Sequence, residues 1–378
     1  MVERILERIV KELLFQGKIV IVLGPRRSGK TTLMQMIAAD AAEKPLWLNA
    51  DEPDIRQMLA GATSTSLRAL IGDRKLVIID EAQRVVEIGL TLKLIADNLQ
   101  GVQVLATGSS ALGLADSVRE PLTGRKAEFT LFPLSYMEMA AHATPLEEKR
   151  LVEQRLVFGY YPEIIFSPGR EKEMLMELSG SYLYKDILAL AQVKKPVILE
   201  KLVQALALQV GWEVNYHELG QTIGADKETV ERYIDLLEKS FVVFRLASLS
   251  RNRRNEIKKG RKIYFYDNGI RNAIIKNFNP LGLRQDAGAL WENFLLGERM
   301  KCNHYLRIWH NPFFWRTTSQ QEVDYIEERE GKLFAFEFKR GRGRAAKVPP
   351  AFSSAYPDSS FAVINEDNFE PFVTTAKK

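Results

Sequence analysis

Cysteine is nearly missing from this chain: Cys302 is the single one in 378 residues. No internal disulfide and no zinc ribbon can be built from one thiol, and the usage fits a reducing compartment. Long hydrophobic runs are missing too. The longest are a few residues, far short of the roughly 20 that a spanning helix needs. The first residues mix charge with Ile5, Ile9, Leu13 and Leu14 at helical spacing, which reads as an amphipathic helix and not as a signal peptide. The expectation is a cytoplasmic protein with no membrane partner. Charge of one sign is scarce as well, at net +5, so where the charge sits matters more than its total. A hydrophobic fraction of 46% with 27% charged residues excludes disorder and coiled-coil rods. The length suits several domains of common size.

What is present begins at Lys18. Lys18-Ile-Val-Ile-Val-Leu23 reads as a buried strand and runs into Gly24-Pro25-Arg26-Arg27-Ser28-Gly29-Lys30-Thr31. That octet satisfies G-x-x-x-x-G-K-[ST], and Thr32 to Ala42 follows with helical spacing. Glycines let the backbone wrap phosphates with its N–H groups inward, and the helix start adds partial positive charge beneath them. Gly24 through Thr32 are therefore the expected ATP-binding residues. Lys30 would reach the β- and γ-phosphates and Thr31 would ligate Mg²⁺.

A second apolar strand, Lys75-Leu-Val-Ile-Ile79, ends in Asp80-Glu81. A strand that delivers acids to its carboxyl end suits a Walker B motif. Asp80 is the candidate Mg²⁺ ligand and Glu81 the candidate general base. A later strand, Val102 to Ala106, ends in Thr107-Gly-Ser-Ser110, where Thr107 and Ser109 are candidates to orient the attacking water. Arg119 and Arg125 are the candidate charge-neutralising arginines, in cis or from a neighbouring copy.

Residues 136–195 read as helices that would form a lid. Beyond Pro196, three helical segments and two strands (Phe241 to Leu246, Ile263 to Tyr266) predict a winged helix. The loop Arg251–Lys262 holds seven basic residues and one acid, a composition that suits DNA or RNA phosphates. Against this, the reading helix carries Glu228, Glu231, Asp235 and Glu238. Toward the end, Asp324 and Glu337-Phe-Lys339 fall on expected paired strands, with Glu292 on a helix. This resembles the PD-(D/E)XK nuclease arrangement, in which acids hold a metal and the lysine stabilises charge. Lys339–Arg344 is a second basic run.

Taken with Ile78-Ile-Asp-Glu-Ala-Gln83, Leu122-Thr-Gly-Arg125, Tyr161-Pro-Glu163, Tyr264 to Gly269 and Glu322-Val-Asp324, the P-loop segment resembles the prokaryotic predicted ATPases of the AAA+ superfamily. The resemblance implies ATP binding and hydrolysis by Lys30, Thr31, Asp80 and Glu81, a winged helix and a restriction-endonuclease-like tail. The expected architecture is α/β: a P-loop core at 1–135, a helical lid at 136–195, a winged helix at 196–268 and the nuclease-like region at 269–378. Three functional readings stand. One is an ATPase coupled to nucleic acid, as a monomer or homo-oligomer. The second is an ATP-switched regulator of protein partners with a degenerate tail. The third is an ATP-gated, metal-dependent nuclease.

Overall fold

The computed structural model describes residues 2–109, 122–180, 193, 195–250 and 260–375. They fall into two compact units, the first made of the residues up to Leu134 with Lys239–Phe241, the second of the remaining residues from Ser135 on.

The first unit is built on five short strands: β1 (Ile19–Leu23), β2 (Leu46–Asn49), β3 (Leu76–Asp80), β4 (Gln103–Gly108) and β5 (Lys126–Thr130). All pair in parallel, in the order β2-β3-β4-β1-β5. Every residue of β1, β3 and β4 is buried, as strands covered on both faces must be, which is why they read as unbroken apolar runs. Helix α1 (Ile5–Leu13) precedes β1, and α2 (Lys30–Ala39) follows it. The insertion of β4 between β1 and β3 matters most for function. Leu23 lies opposite Gly108, and Ile79 opposite Ala106. The carboxyl ends of the strands bearing the P-loop, the Asp80-Glu81 pair and Thr107 therefore meet at one edge.

Between β2 and β3 stand two helices, Pro53–Leu59 and Ser64–Ile71. Pro53 occupies the first helical turn, where its missing N–H costs nothing. Thr63 and Ser66 close a reciprocal capping box on the second helix.

The second unit opens with short helices from Tyr136–His142 to Glu171–Gly180. Three further helices follow, Pro196–Leu208, Tyr216–Ile223 and Lys227–Lys239. Asn215 caps the second of these, and Gly224 ends it in the left-handed conformation. A seven-stranded sheet completes the unit. Its strands are β6 (Glu213–Val214), β7 (Val243–Ser248), β8 (Arg261–Phe265), β9 (Asn311–Arg316), β10 (Glu322–Arg329), β11 (Lys332–Phe338) and β12 (Ser360–Ile364), in the order β12-β11-β10-β9-β7-β8-β6. The β7–β8 hairpin is antiparallel, and β7 joins β9 in parallel at Ala247↔Phe313 and Ser248↔Phe314. The sheet thus runs without a break through the boundary expected at 268/269. Against it packs a core of Leu249, Trp315, Val323, Ile326, Ala335 and Phe352. The long helix Ala287–Tyr305 is buried along most of its length and carries its charges inward in pairs, Arg299 with Glu327 and Lys301 with Glu298. Among the described residues no helix is long and apolar enough to cross a membrane.

Candidate functional site

The loop that leaves β1 is shaped by its glycines. A Cβ on Gly24 would stand 2.2 Å from the Leu131 carbonyl oxygen, so no other residue fits there. Gly29 turns the chain at φ 96° and starts α2 with no side chain capping the helix. The first N–H groups of α2 thus present the partial positive charge that binds phosphate. Lys30 is buried and donates to the carbonyls of Gly24 and Pro25, each at 2.9 Å, which holds its ammonium inside the loop. Ser28 Oγ is buried with no hydrogen-bond partner among the described residues. Arg26 and Arg27 are exposed. A brace comes from outside the motif: Arg4, just before α1, donates to Ser28 O at 2.8 Å and to Phe132 O at 2.7 Å.

Asp80 lies beside this loop, buried at the end of β3. Thr31 Oγ1 donates to its Oδ2 at 2.8 Å, and Thr107 Oγ1 donates to its Oδ1. Thr107 Oγ1 in turn accepts from the Glu81 N–H at 3.1 Å. A carboxylate and a threonine hydroxyl in contact are the oxygen donors that Mg²⁺ takes alongside phosphate and water. Uncapped helix, buried lysine, orphaned serine hydroxyl and carboxylate–hydroxyl pair all fit a Mg²⁺-bound triphosphate. When bound, the metal would polarise the terminal phosphoryl group. Glu81 itself sits at φ 54°, a left-handed backbone that non-glycine residues adopt rarely. Gln83 Nε2 donates to Glu81 Oε2 at 2.5 Å and to Ser109 Oγ at 2.9 Å.

In the second unit, Phe338 N–H donates to Asp324 Oδ2 at 2.8 Å, and Lys339 Nζ lies 2.6 Å from Glu337 Oε1. Burial first, then Glu292 and Glu337, push the Asp324 carboxyl up to about 8. Lys339 is held above the ordinary lysine range: burial alone would lower it, but the bond to Glu337 and the charges of Glu337, Asp324 and Glu292 together outweigh burial. Glu292 faces Lys262 and Tyr264: Lys262, the last residue of the loop expected to meet phosphates, is buried and turned to acids instead, and Tyr264 carried no site role. Among the described residues no three His, Cys, Asp or Glu side chains converge as a metal ligand set. The acids expected to hold a nuclease metal do not fit one as they stand.

Family comparisons divide the chain into three. Residues 16–140 match the model of an AAA domain, while 149–281 and 287–375 match two domains of unknown function, DUF8612 and DUF4143. Residues 16–140 are an AAA-type P-loop domain. An uncharacterized protein of Mycobacterium tuberculosis is 25% identical over 337 residues, which cover 88% of this chain and 72% of that protein. Another, from Haemophilus influenzae, is 25% identical over 280 residues, covering 68% of each. Among solved structures, a Pif1 helicase from Candida albicans matches at 16% identity with a TM-score of 0.28. That match covers 47% of this chain and 48% of the helicase, so this chain spans about half the helicase's length.

Within the AAA domain, Lys30, Thr31, Asp80, Glu81, Thr107 and Ser109 come together at one sheet edge. Arg125 does not join them. It precedes β5 and accepts from Ile19 N at 2.9 Å, where β1 begins, and its guanidinium pairs with Asp97 at 2.8 Å. The P-loop leaves the other end of β1, roughly 16 Å away for five residues of strand. Arg125 therefore does not act on a phosphate held by its own chain. Arg119 and Ser110 lie outside the described residues. Two contributors were missed. Gln83 carries only the signal of following Asp80-Glu81 closely, and Arg4 carries none, because its partners are 24 and 128 residues away.

Proposed function

We propose that the chain is a Mg²⁺-dependent ATPase whose AAA domain drives work of the second unit on nucleic acid. The reading rests on one observation: both oxygens of Asp80 are engaged by hydroxyls, Thr31 from the P-loop helix and Thr107 from the neighbouring strand. Gly24 through Thr32 wrap the phosphates, Lys30 neutralises the terminal ones, and Thr31 with Asp80 holds the metal. Glu81 takes the proton of the attacking water, with Thr107 and Ser109 orienting it. Arg125 belongs to the site of a neighbouring copy in a homo-oligomer.

Charge supports the nucleic-acid half. We read residues 196–268 as a winged helix and 269–378 as restriction-endonuclease-like. Two of the four acids on the reading helix are occupied: Arg245 pairs with Asp235 at 2.5 Å and also with Glu238. Arg342 and Arg344 are exposed in a turn anchored by Gly341 N–H to Glu366 and by Gly343 N–H to Asp367. Such an exposed basic turn suits a phosphate backbone. Most of the expected wing, 251–259, lies outside the described residues.

The test measures ATP binding and turnover in Lys30→Ala and Glu81→Gln, with and without duplex DNA. Lys30→Ala should lose ATP binding. Glu81→Gln should bind ATP and slow by roughly 10²- to 10⁴-fold, the range for losing a general base. Unchanged turnover in both would defeat the reading.

A further inference from the structure

The tail's acids already have a cation. Lys262, on β8, places Nζ 2.5 Å from Glu322 Oε1 and 3.3 Å from Glu292 Oε1, with 3% of its side chain exposed. Its ammonium also lies 5.5 Å from the centre of the Phe314 ring. Tyr264, two residues on, donates to the same Glu292 Oε1 at 2.5 Å. Glu292 Oε1 is thus taken by an ammonium and a phenol, and Glu322 Oε1 by the same ammonium.

Glu292 and Glu322 are partly buried, at 18% and 27% exposed, and carboxylates gathered in a partly desolvated cluster favour compensating positive charge. A bound divalent ion is one source, and a tethered lysine is another. Burial alone would lower Lys262, yet Glu292, Glu322 and Asp324 outweigh it and hold the lysine above its ordinary range. An incoming divalent ion would have to evict a buried side chain or share the cluster with its charge. Either is unfavourable against a cation that is already in place.

We propose that the Lys262 ammonium stands where a divalent cation would otherwise bind, so that the tail takes up no metal and cuts no nucleic acid. Glu292, Glu322 and Asp324 do not converge as a ligand set with the ammonium among them, and removing it lets them close on a divalent ion. The inference does not rest on the nucleotide site.

Mn²⁺ alone is the probe, titrated calorimetrically and by the electron-spin resonance of the free ion. The full chain is used without nucleotide, in an Asp80→Asn background that removes the other metal ligand. The chain carrying Lys262 should leave Mn²⁺ free, and plasmid DNA should stay uncut by wild type in Mg²⁺ or Mn²⁺. Lys262→Ala should take up one Mn²⁺ per chain, and adding Asp324→Asn should abolish that uptake. Lys262→Met keeps the apolar stem and serves where the alanine variant melts without cooperativity. Uptake by the chain with Lys262 intact, lost on Asp324→Asn, would overturn the proposal. So would a cooperatively melting Lys262→Ala or Lys262→Met chain that binds none.

Discussion

Gln83 is one short side chain with two acceptors, and it decides where the Glu81 carboxylate rests. Its amide nitrogen bridges Glu81 Oε2 and Ser109 Oγ, while its own Oε1 is buried without a partner among the described residues. A general base must be aimed within hydrogen-bond reach of its proton before its basicity counts. Gln83→Ala should therefore lower turnover while leaving the ATP dissociation constant within a fewfold of wild type. A loss of ATP affinity equal to the loss of turnover would make Gln83 merely structural. Arg4→Ala is predicted to do the opposite. It removes two bonds that hold the Ser28 and Phe132 carbonyls, so it should weaken ATP binding and cost about 1–3 kcal/mol of stability, read by denaturant titration. At this scale the sequence was legible wherever spacing along the chain encodes geometry, as in Gly24 to Thr31 and Asp80-Glu81. It was silent on Arg4, whose partners become neighbours only after folding.

Strands tell the same story one level up. The central strands β1, β3 and β4 of the AAA domain were readable because burial on both faces leaves an unbroken apolar run. The pairing of β7 with β9 was not, since two short stretches 66 residues apart, Ala247-Ser248 and Phe313-Phe314, carry no mark of each other. That pairing helps bring Lys262 on β8 to Glu322 on β10, which is why a chain read domain by domain offered an acid cluster without its cation. The consequence can be measured through Asp324, faced by Glu292 from the helix, Glu337 from β11 and Lys262 from β8. Its carboxyl rises from 3.8 to about 8 on folding. At low pH both states hold the proton and nothing is lost. As pH climbs from about 4 to about 8 the unfolded chain releases the proton and the folded chain keeps it, so stability falls, by up to about 1.4 kcal/mol per unit. Above about 8 the fall ends. Asp324→Asn should flatten this slope and melt higher than wild type at neutral pH. Identical melting profiles for the two chains would show that Asp324 is ionised in the fold.

For the whole molecule, net charge of +5 is too small to hold nucleic acid by itself, so any binding has to come from local basic surface. The turn with Arg342 and Arg344 is such a surface, because the acids beside it, Glu366 and Asp367, are engaged with backbone N–H groups at Gly341 and Gly343. If this turn touches phosphates, the affinity for duplex DNA must fall with salt, since each neutralised phosphate releases condensed counterions. Arg342→Ala and Arg344→Ala should each reduce the slope of log affinity against log salt by about 1, and weaken binding to all sequences alike. Neither residue belongs to the nucleotide site, so turnover without DNA should be unchanged while its stimulation by DNA shrinks. Fluorescence anisotropy across a salt series, run beside a phosphate-release assay on the same preparations, reads both quantities. The opposing outcome is equally definite. ATP turnover indifferent to DNA under salt conditions where the duplex is saturated would leave the AAA domain a switch for protein partners, with the basic turn a solvated surface.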